Sequence, residues 1–297
     1  MGAVGGTGPG TPDGGPNATV IVPVRNGRNV VTLQLEALLR EARAEDLEVL
    51  VVDDASRDGT GDVVAAWIRA RGEPNFRLVR RSRRGGPNAS RNHGARLARS
   101  DRLLFCDGDD VVGEGWAAAL LDAWAEDAVL CGRLVGLEPT APSGAWALPP
   151  EVCGVPYAYG GNMGIPRAVL ERAGGFDEDI FAGGTEFEVA YRAQRELGVR
   201  VEVVPDAVVR YRLATDRRSL FVRTFRRTRG RRLLHLKLGL ATLTAPTPRA
   251  WVRGWRRVGG LLVAGHDDPA KREEAVRRAG VLVGEAWWAA WIRHPVR

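Results

Sequence analysis

Cysteine is scarce in this sequence, and its three cysteines form no recognisable set. Cys106, Cys131 and Cys153 are an odd number, and no two of them have Cys-x-x-Cys spacing. A disulfide framework or a zinc site needs paired or closely spaced ligands, so neither is predicted. We expect reduced thiols in or near the core of a cytosolic protein.

Long apolar runs are also missing. No stretch of 18 uninterrupted apolar residues occurs, so no transmembrane helix is expected. Residues 1–17 are mostly Gly, Pro, Thr and Ala, and they lack the basic start and apolar centre of a signal peptide. We interpret them as a flexible tail. These absences predict a cytoplasmic protein.

The charge is distributed unevenly along the 297 residues. The net charge is +7, but residues 210–297 hold 21 Lys and Arg against 6 Asp and Glu, whereas residues 1–209 hold 22 against 30. The basic final third is therefore a candidate for contact with an anionic membrane surface, an acidic acceptor or nucleic acid. Nucleic acid is the weakest of these partners, because no nucleic-acid-reading motif is present.

Strand and helix patterns alternate through the first half of the chain. Apolar runs of strand length alternate with segments whose apolar residues recur at helical spacing. The predicted strands are at 19–24, 47–52, 76–79 and up to Asp107. The predicted helices are at about 30–44, from about 60, and from Asn88 or Ser90 to about 98. This order predicts an α/β fold with a doubly wound, mostly parallel sheet, in which ligands bind beyond the carboxyl ends of the strands. A last strand is expected at Val199–Val204, ending before Pro205.

Two pairs of carboxylates follow strands of this sheet. Asp53 and Asp54 end one strand, and Asp107 and Asp109 flank Gly108 after another. Like charges held close together repel unless a cation lies between them, and carboxylates suit Mg²⁺ or Mn²⁺. An isolated Asp-x-Asp is more often a solvated turn, but several acidic motifs meet at this edge.

Six motifs in fixed order resemble the family 2 glycosyltransferases, bacterial enzymes of the A-type nucleotide-sugar transferase fold. The matching segments are Val20–Asn26, Val51–Thr60, Ala89–Asn92, Phe105–Asp110, Gly161–Met163 and Gly174–Asp177. The resemblance covers about residues 18–211. It implies three regions: the tail at 1–17, a catalytic domain at 18–211 and a basic, Trp-containing helical region at 212–297.

The resemblance also implies a nucleotide-diphosphate-sugar donor, most often a UDP-sugar, and a divalent metal, Mn²⁺ or Mg²⁺. The metal would be held by Asp107 and Asp109, with Asp107 also near the donor. The residues implied to line the donor pocket are Pro23, Arg25, Asn26, Asp53, Asp54 and Arg91. The guanidinium of Arg91 is suited to phosphate oxygens.

An inverting transfer needs a base that takes the proton of the acceptor hydroxyl. Family members usually have Glu-Asp after Gly-Gly-Phe-Asp, whereas this chain has Thr185 and Glu186, so Glu186 is the predicted base. Glu188 competes for that role, although acids are also favourable in any first helical turn. Gly161 and Asn162 are expected on the acceptor side. The histidine that family members often carry near Arg210 is absent, which implies that metal binding is either weaker or completed by water.

Two other hypotheses remain open from the sequence. One is a sugar nucleotidyltransferase, which the missing glycine-rich, lysine-containing phosphate loop disfavours. The other is a non-catalytic module that docks on membranes through its basic region. The C-terminal helices are expected either to pack on the catalytic body or to lie at the inner face of the membrane.

Overall fold

The computed structural model describes residues 15–137, 151–152, 155–180, 185–213, 216–238 and 247–293. Side chains are not described at 151, 152, 185, 186, 235, 238 and 288–293. Most of the predicted tail, Cys153 and part of the segment between Leu137 and Val155 therefore lie outside the described residues.

Strands and helices alternate as the sequence predicts, and the described strands number ten. The strands are β1 (Ala18–Val24), β2 (Leu47–Asp53), β3 (Phe76–Arg80), β4 (Arg102–Cys106), β5 (Val111–Val112), β6 (Ala128–Gly136), β7 (Glu151–Val152), β8 (Val155–Pro156), β9 (Asn162–Pro166) and β10 (Arg200–Tyr211). The helices are α1 (Val31–Glu45), α2 (Thr60–Arg71), α3 (Gly86–Leu97), α4 (Trp116–Asp122), α5 (Arg167–Arg172), α6 (Thr185–Leu197), α7 (Arg217–Leu238), α8 (Pro248–Ala264) and α9 (Pro269–Arg293).

Eight of the strands form one mixed sheet in the order β3-β2-β1-β4-β9-β6-β10-β5. Strands β3, β2, β1 and β4 run parallel, β9 is antiparallel to both of its neighbours, and β10 is parallel to β6. Every residue of β1 and β2 is buried, as expected for parallel strands covered on both faces. The predicted α/β class with a mostly parallel sheet is confirmed.

Apolar helix faces cover both sides of this sheet. Helices α1, α2 and α4 contribute to one buried cluster, and α3, α5 and α6 contribute to the other. Trp116 and Phe105 are the largest fully buried side chains. The sheet edge that carries the acidic motifs is therefore held by a core on each face.

Two predictions about this part of the chain are wrong. The last strand does not end at Val204 but continues to Tyr211, because a β-bulge between Val204 and Val208 accommodates Pro205 without a ladder hydrogen bond. Helix α3 begins at Gly86, and neither Asn88 nor Ser90 caps it. A carboxylate from another part of the chain takes that role, as described below.

The described chain divides into two compact units, the first comprising residues 1–178 and 186–213 and the second 179–185 and 214–297. In the second unit, α9 packs against both α7 and α8. Glycines permit the close approach to α7: a Cβ added at Gly284 would lie 2.8 Å from the Cβ of Thr228. Arg232 of α7 forms an ion pair with Glu285 of α9. Of the described helices, none is both long and apolar enough to cross a membrane.

Candidate functional site

The carboxyl ends of β1, β2 and β4 are joined by backbone hydrogen bonds. The amide of Asp54 donates to the carbonyl of Val24 (2.9 Å), and the amide of Gly108 donates to the carbonyl of Pro23 (3.2 Å). Consequently, Pro23 lies between the two acidic motifs. The sequence places these motifs at one edge of the sheet, and the structure brings them together there.

Arg25 and Asn26 tie the loop after β1 to the loop after β2. A guanidinium nitrogen of Arg25 donates to the carbonyls of Asp54 and Ala55, and the side-chain oxygen of Asn26 accepts from the amide of Arg57 (2.9 Å). Asn26 has a φ of 51°, a left-handed conformation that asparagine tolerates better than most residues. The two loops thus form one continuous wall of the candidate donor pocket.

The carboxylates of Asp53 and Asp54 are buried and already bonded within the protein. Asp53 accepts from the amide of Ser56 (3.0 Å). Asp54 accepts from a guanidinium nitrogen of Arg81 (2.9 Å) and from the amides of Gly85 (2.7 Å) and Gly86 (2.9 Å). Asp54 therefore acts as the capping acceptor at the start of α3.

Arg91 of α3 is buried and points at the acidic motif. Its Nη2 donates to Oδ1 of Asp107 (2.8 Å), and the guanidinium carbon lies 5.8 Å from the centre of the Phe176 ring. A Cβ added at Gly160 would lie 2.8 Å from that carbon, so glycine is needed for the close approach. Among the described residues, Nε of Arg91 has no hydrogen-bond partner. A buried cationic donor is thus held beside Asp107 with bonding capacity to spare.

The loop from Asp107 to Val112 presents one exposed and one partly exposed carboxylate. The side chain of Asp107 is 31% exposed, and Asp109 is exposed. Asp110 is buried and accepts from the amide of Arg212 (2.8 Å), while Nε of Arg212 donates to the carbonyl of Asp109 (2.9 Å). The loop is therefore anchored by Asp110, which leaves Asp107 and Asp109 to face a ligand.

Gln34 holds both ends of this loop and was not identified from the sequence. Its amide nitrogen donates to the carbonyl of Asp107 (3.1 Å), and its amide oxygen accepts from the amide of Val112 (2.9 Å). Gln34 is fully buried. The sequence does indicate that Gln34 is buried, because it lies one turn after Val31 and one before Leu38, within the apolar stripe of α1.

Gly161 and Asn162, predicted on the acceptor side, have different environments. A Cβ added at Gly161 would lie 2.8 Å from Oδ2 of Asp107, so this glycine borders the acidic loop. Asn162 is fully buried: its Oδ1 accepts from Nε1 of Trp116 (2.8 Å), and its Nδ2 donates to the carbonyls of Arg133 (3.0 Å) and Ala207 (2.8 Å). Asn162 thus supports the sheet beneath the site.

The two candidate bases lie in the first turns of α6. Glu186 is in the first turn, and its side chain is outside the described part of the structure. Glu188 is buried and paired with Arg192, which also donates to the carbonyl of Gly175 (2.6 Å). Glu188 therefore fastens α6 to the Gly174–Gly175 turn, which favours a structural role for it.

The metal-ligand atoms that the loop after β4 offers suit a hard cation only in part. Asp107 and Asp109 offer carboxylate oxygens, the ligands that Mg²⁺ and Mn²⁺ prefer. Within the described ranges, no group of three or more His, Cys, Asp or Glu residues is placed to hold a metal ion. Two carboxylates nevertheless fit a cation whose remaining ligands come from substrate phosphates and water.

Burial near the site shifts two pKa values. Burial raises the pKa of the Cys106 thiol well above its ordinary value, and the neighbouring Asp107 and Asp110 raise it further. Burial lowers the pKa of His93, as do the charges of Arg96 and Arg81. Cys106 is therefore kept as a neutral thiol, and His93 is favoured in its neutral form.

Sequence comparisons point to one family. Residues 19–144 match the family model described as Glycosyl transferase family 2. Validoxylamine A glucosyltransferase of Streptomyces hygroscopicus subsp. jinggangensis is 31% identical over 227 residues, covering 62% of this chain and 53% of the relative. Poly(ribitol-phosphate) beta-glucosyltransferase of Bacillus spizizenii is 30% identical over 96 residues, covering 32% of this chain and 15% of the relative. The chain thus spans about half of the first relative and a smaller share of the second.

A comparison with solved structures supports the mixed α/β fold described above. A mannosyltransferase from Pyrobaculum calidifontis, solved in complex with GDP-Man and Mn²⁺, has a TM-score of 0.66 and 22% sequence identity, with coverage of 95% of this chain and 89% of that chain. At this identity the likeness concerns the fold alone. It agrees with the mixed sheet and flanking helices described above.

Proposed function

We propose that the protein is an inverting glycosyltransferase that moves a sugar from a nucleotide diphosphate to an acceptor hydroxyl. The match of residues 19–144 to the model of glycosyltransferase family 2 supports this proposal. The observation that carries this proposal is the buried Arg91 bonded to Asp107, beside the exposed Asp109. A cationic donor and two carboxylates at one sheet edge suit a diphosphate with its metal.

We assign the metal and diphosphate to the acidic loop. Asp107 and Asp109 would hold the divalent ion, whose charge offsets the negative charge that develops on the leaving diphosphate. Arg91 would bind a diphosphate oxygen through the bonding capacity that Asp107 leaves unused. The Mn²⁺ in the mannosyltransferase complex supports this assignment.

The acceptor would be activated by a carboxylate of α6. As the acceptor oxygen attacks the anomeric carbon, the bond from that carbon to the diphosphate oxygen breaks, and Glu186 takes the acceptor proton. Attack from the face opposite the leaving group inverts the anomeric centre. Because the carboxylate of Glu188 is engaged with Arg192, Glu186 is the better candidate.

We propose a UDP-sugar as the donor, following the family resemblance. Solved structures of similar fold contain different nucleotides, among them GDP-Man and, in Staphylococcus aureus TarS, UDP and UDP-GlcNAc. The test should therefore use a panel of donors. Relatives named for poly(ribitol-phosphate) and validoxylamine A make polymers and natural-product glycosides two acceptor classes to examine.

The defining experiment measures the release of nucleoside diphosphate from a panel of nucleotide sugars, with Mn²⁺, with Mg²⁺ and with chelator. We expect metal-dependent release from one donor, and Asp109→Asn should lower it by at least about 100-fold, because it removes a charged ligand without changing the side-chain shape. Asp122→Asn is the matched control, since Asp122 is an exposed carboxylate at the end of α4.

Two outcomes would contradict the proposal. Pyrophosphate release from a nucleoside triphosphate and a sugar phosphate would indicate a nucleotidyltransferase instead. No turnover of any donor, together with no metal-dependent nucleotide binding, would favour a non-catalytic module. Contact with a membrane surface, the other partner that the sequence predicts, concerns the C-terminal helices and is independent of this site.

A further inference from the structure

Helix α8 combines a strong positive charge with exposed apolar side chains. It contains four arginines and no acidic residue, Arg249, Arg253, Arg256 and Arg257 all being exposed. Its large exposed apolar residues are Trp251 (37% exposed), Val252 (46%), Leu262 (52%) and Val263 (81%). A surface helix that faces only water rarely exposes so many large apolar side chains together.

These residues separate into three sectors around the helix axis, since successive residues of a helix turn by about 100°. The buried sector faces α9: Val258 in it is buried, and Ala250, Gly254 and Leu261 are half-buried. The next sector, about 120° wide, is apolar and contains Trp251, Val252, Trp255, Gly259, Leu262 and Val263. The third contains Arg249, Arg253, Arg256, Arg257, Gly260 and Ala264.

The buried sector of α8 already has its partner in α9. A Cβ added at Gly254 would lie 2.6 Å from Cδ2 of Leu282, and Nε1 of Trp251 approaches the carbonyl of Leu282 at 3.4 Å. Val258 is only 5% exposed. This contact fixes the orientation of α8 on α9. Val252, Leu262 and Val263 of the apolar sector and the four arginines stay exposed, whereas Trp251 is partly engaged by α9 and Trp255 is half-buried.

Within the described part of the chain, none of the four arginines of α8 takes part in an ion pair. Arg277 and Arg278 of α9, by contrast, pair with Glu273 and Glu274. No side chain in the described part of its own unit therefore forms an ion pair with the basic residues of α8. An adjoining apolar sector and unpaired arginine sector match the interface of an anionic bilayer, where apolar groups enter the acyl boundary and guanidinium groups meet lipid phosphates.

We propose that the outer surface of α8, formed by its apolar and basic sectors, docks the protein on an anionic lipid membrane. The helix would lie in the plane of the interface. Nucleic acid would engage the arginines but leave Leu262 and Val263 exposed to water, whereas an anionic lipid surface uses both sectors. The proposal does not depend on the transfer reaction.

The test measures co-sedimentation of the full chain with vesicles of phosphatidylcholine, alone or mixed with phosphatidylglycerol. We expect binding to the anionic vesicles only, and a weakening as salt is added. Arg253→Gln combined with Arg257→Gln should lower the partition coefficient roughly 30-fold, because each basic residue near an anionic surface contributes about fivefold. Leu262→Ser with Val263→Ser should lower it by about tenfold or more.

The matched control is Arg40→Gln with Arg69→Gln, two exposed arginines of the first unit for which no ion pair is described. It makes the same change in net charge and should reduce binding less than about threefold. Far-ultraviolet circular dichroism confirms that each variant remains folded.

Three results would overturn the proposal. The first is equal binding to neutral and anionic vesicles, and the second is an equal loss of binding in the control pair. The third is tight binding of duplex DNA that needs the α8 arginines, with no vesicle binding, which would assign the surface to nucleic acid.

Discussion

At the scale of single residues, Asp54 shows that an acidic residue at a strand end can belong to the framework of a site. Its carboxylate accepts three hydrogen bonds from Arg81, Gly85 and Gly86, and so binds β2 to the start of α3. Asp109 in the same sheet edge is exposed. Motif matching treats both as ligand residues, whereas burial and bonding separate them.

The two candidate bases in the first turns of α6, Glu186 and Glu188, can be separated by the same criterion. Glu186→Gln should lower kcat by about 100- to 10,000-fold, with the donor KM little changed, because it removes the proposed base. Glu188→Gln should instead lower the free energy of unfolding by about 1–3 kcal/mol, because Arg192 loses a charged partner in a buried place. Steady-state kinetics and urea unfolding of both variants provide the measurements.

Each variant serves as the control for the other. An inactive Glu188→Gln protein of normal stability, beside an active Glu186→Gln protein, would transfer the base role to Glu188. An equal loss of stability in the two variants would show that Glu186 also has a structural role.

At the scale of elements, α1 controls the loop that carries Asp107 and Asp109. Gln34 bonds to the backbone carbonyl at the start of that loop and to the backbone amide at its end, although it belongs to a helix that packs on one face of the sheet. The loop geometry therefore depends on how α1 packs. A change in α1 should therefore alter the proposed metal site without changing Asp107 or Asp109.

Gln34→Leu tests this dependence. We expect the Kd of a nucleoside diphosphate measured with Mn²⁺ to rise about tenfold, because the loop loses two hydrogen bonds and the carboxylates lose their fixed position. The matched control is Gln194→Leu, since Gln194 also makes two hydrogen bonds to the backbone, donating to the carbonyls of Pro156 and Ala190. An equal effect of both variants on nucleotide binding would show that general destabilisation is responsible.

The sequence predicts the first half of the sheet better than the second. Strands β1, β2 and β4 are mainly apolar runs followed by turn residues, and such runs are visible locally. The sequence predicts no strand at β9, because the segment is short and contains Gly164, and because its antiparallel pairing is set by distant partners. The bonds of Gln34 and Asn162 connect residues far apart in the chain, so no local pattern could predict them.

At the scale of the whole molecule, buried thiols link stability to alkaline pH. Burial raises the pKa of Cys131 from 9.0 to about 11, so the folded protein keeps a proton that the unfolded chain releases. The resulting stabilisation is fully present below pH 9 and is lost as the pH rises towards 11. Burial raises the pKa of Cys106 in the same direction.

We therefore expect the free energy of unfolding to fall between pH 9 and pH 11, with Cys131 contributing at most about 3 kcal/mol. Urea unfolding across this pH range measures the fall. Cys131→Ala should be less stable at pH 8 but should show a shallower decline, because one titrating group has been removed. An unchanged slope in the variant would show that this thiol does not contribute.

The side-chain amide of Asn162 also constrains the order in which the chain can assemble. Its partners lie in α4, β6 and β10, at sequence separations of 46, 29 and 45 residues. Strands β1 to β4 can pair once the ribosome has released residues up to 106, whereas this junction needs Ala207. Because contacts between distant residues form slowly, the half of the sheet containing β6, β9 and β10 is expected to close last during synthesis.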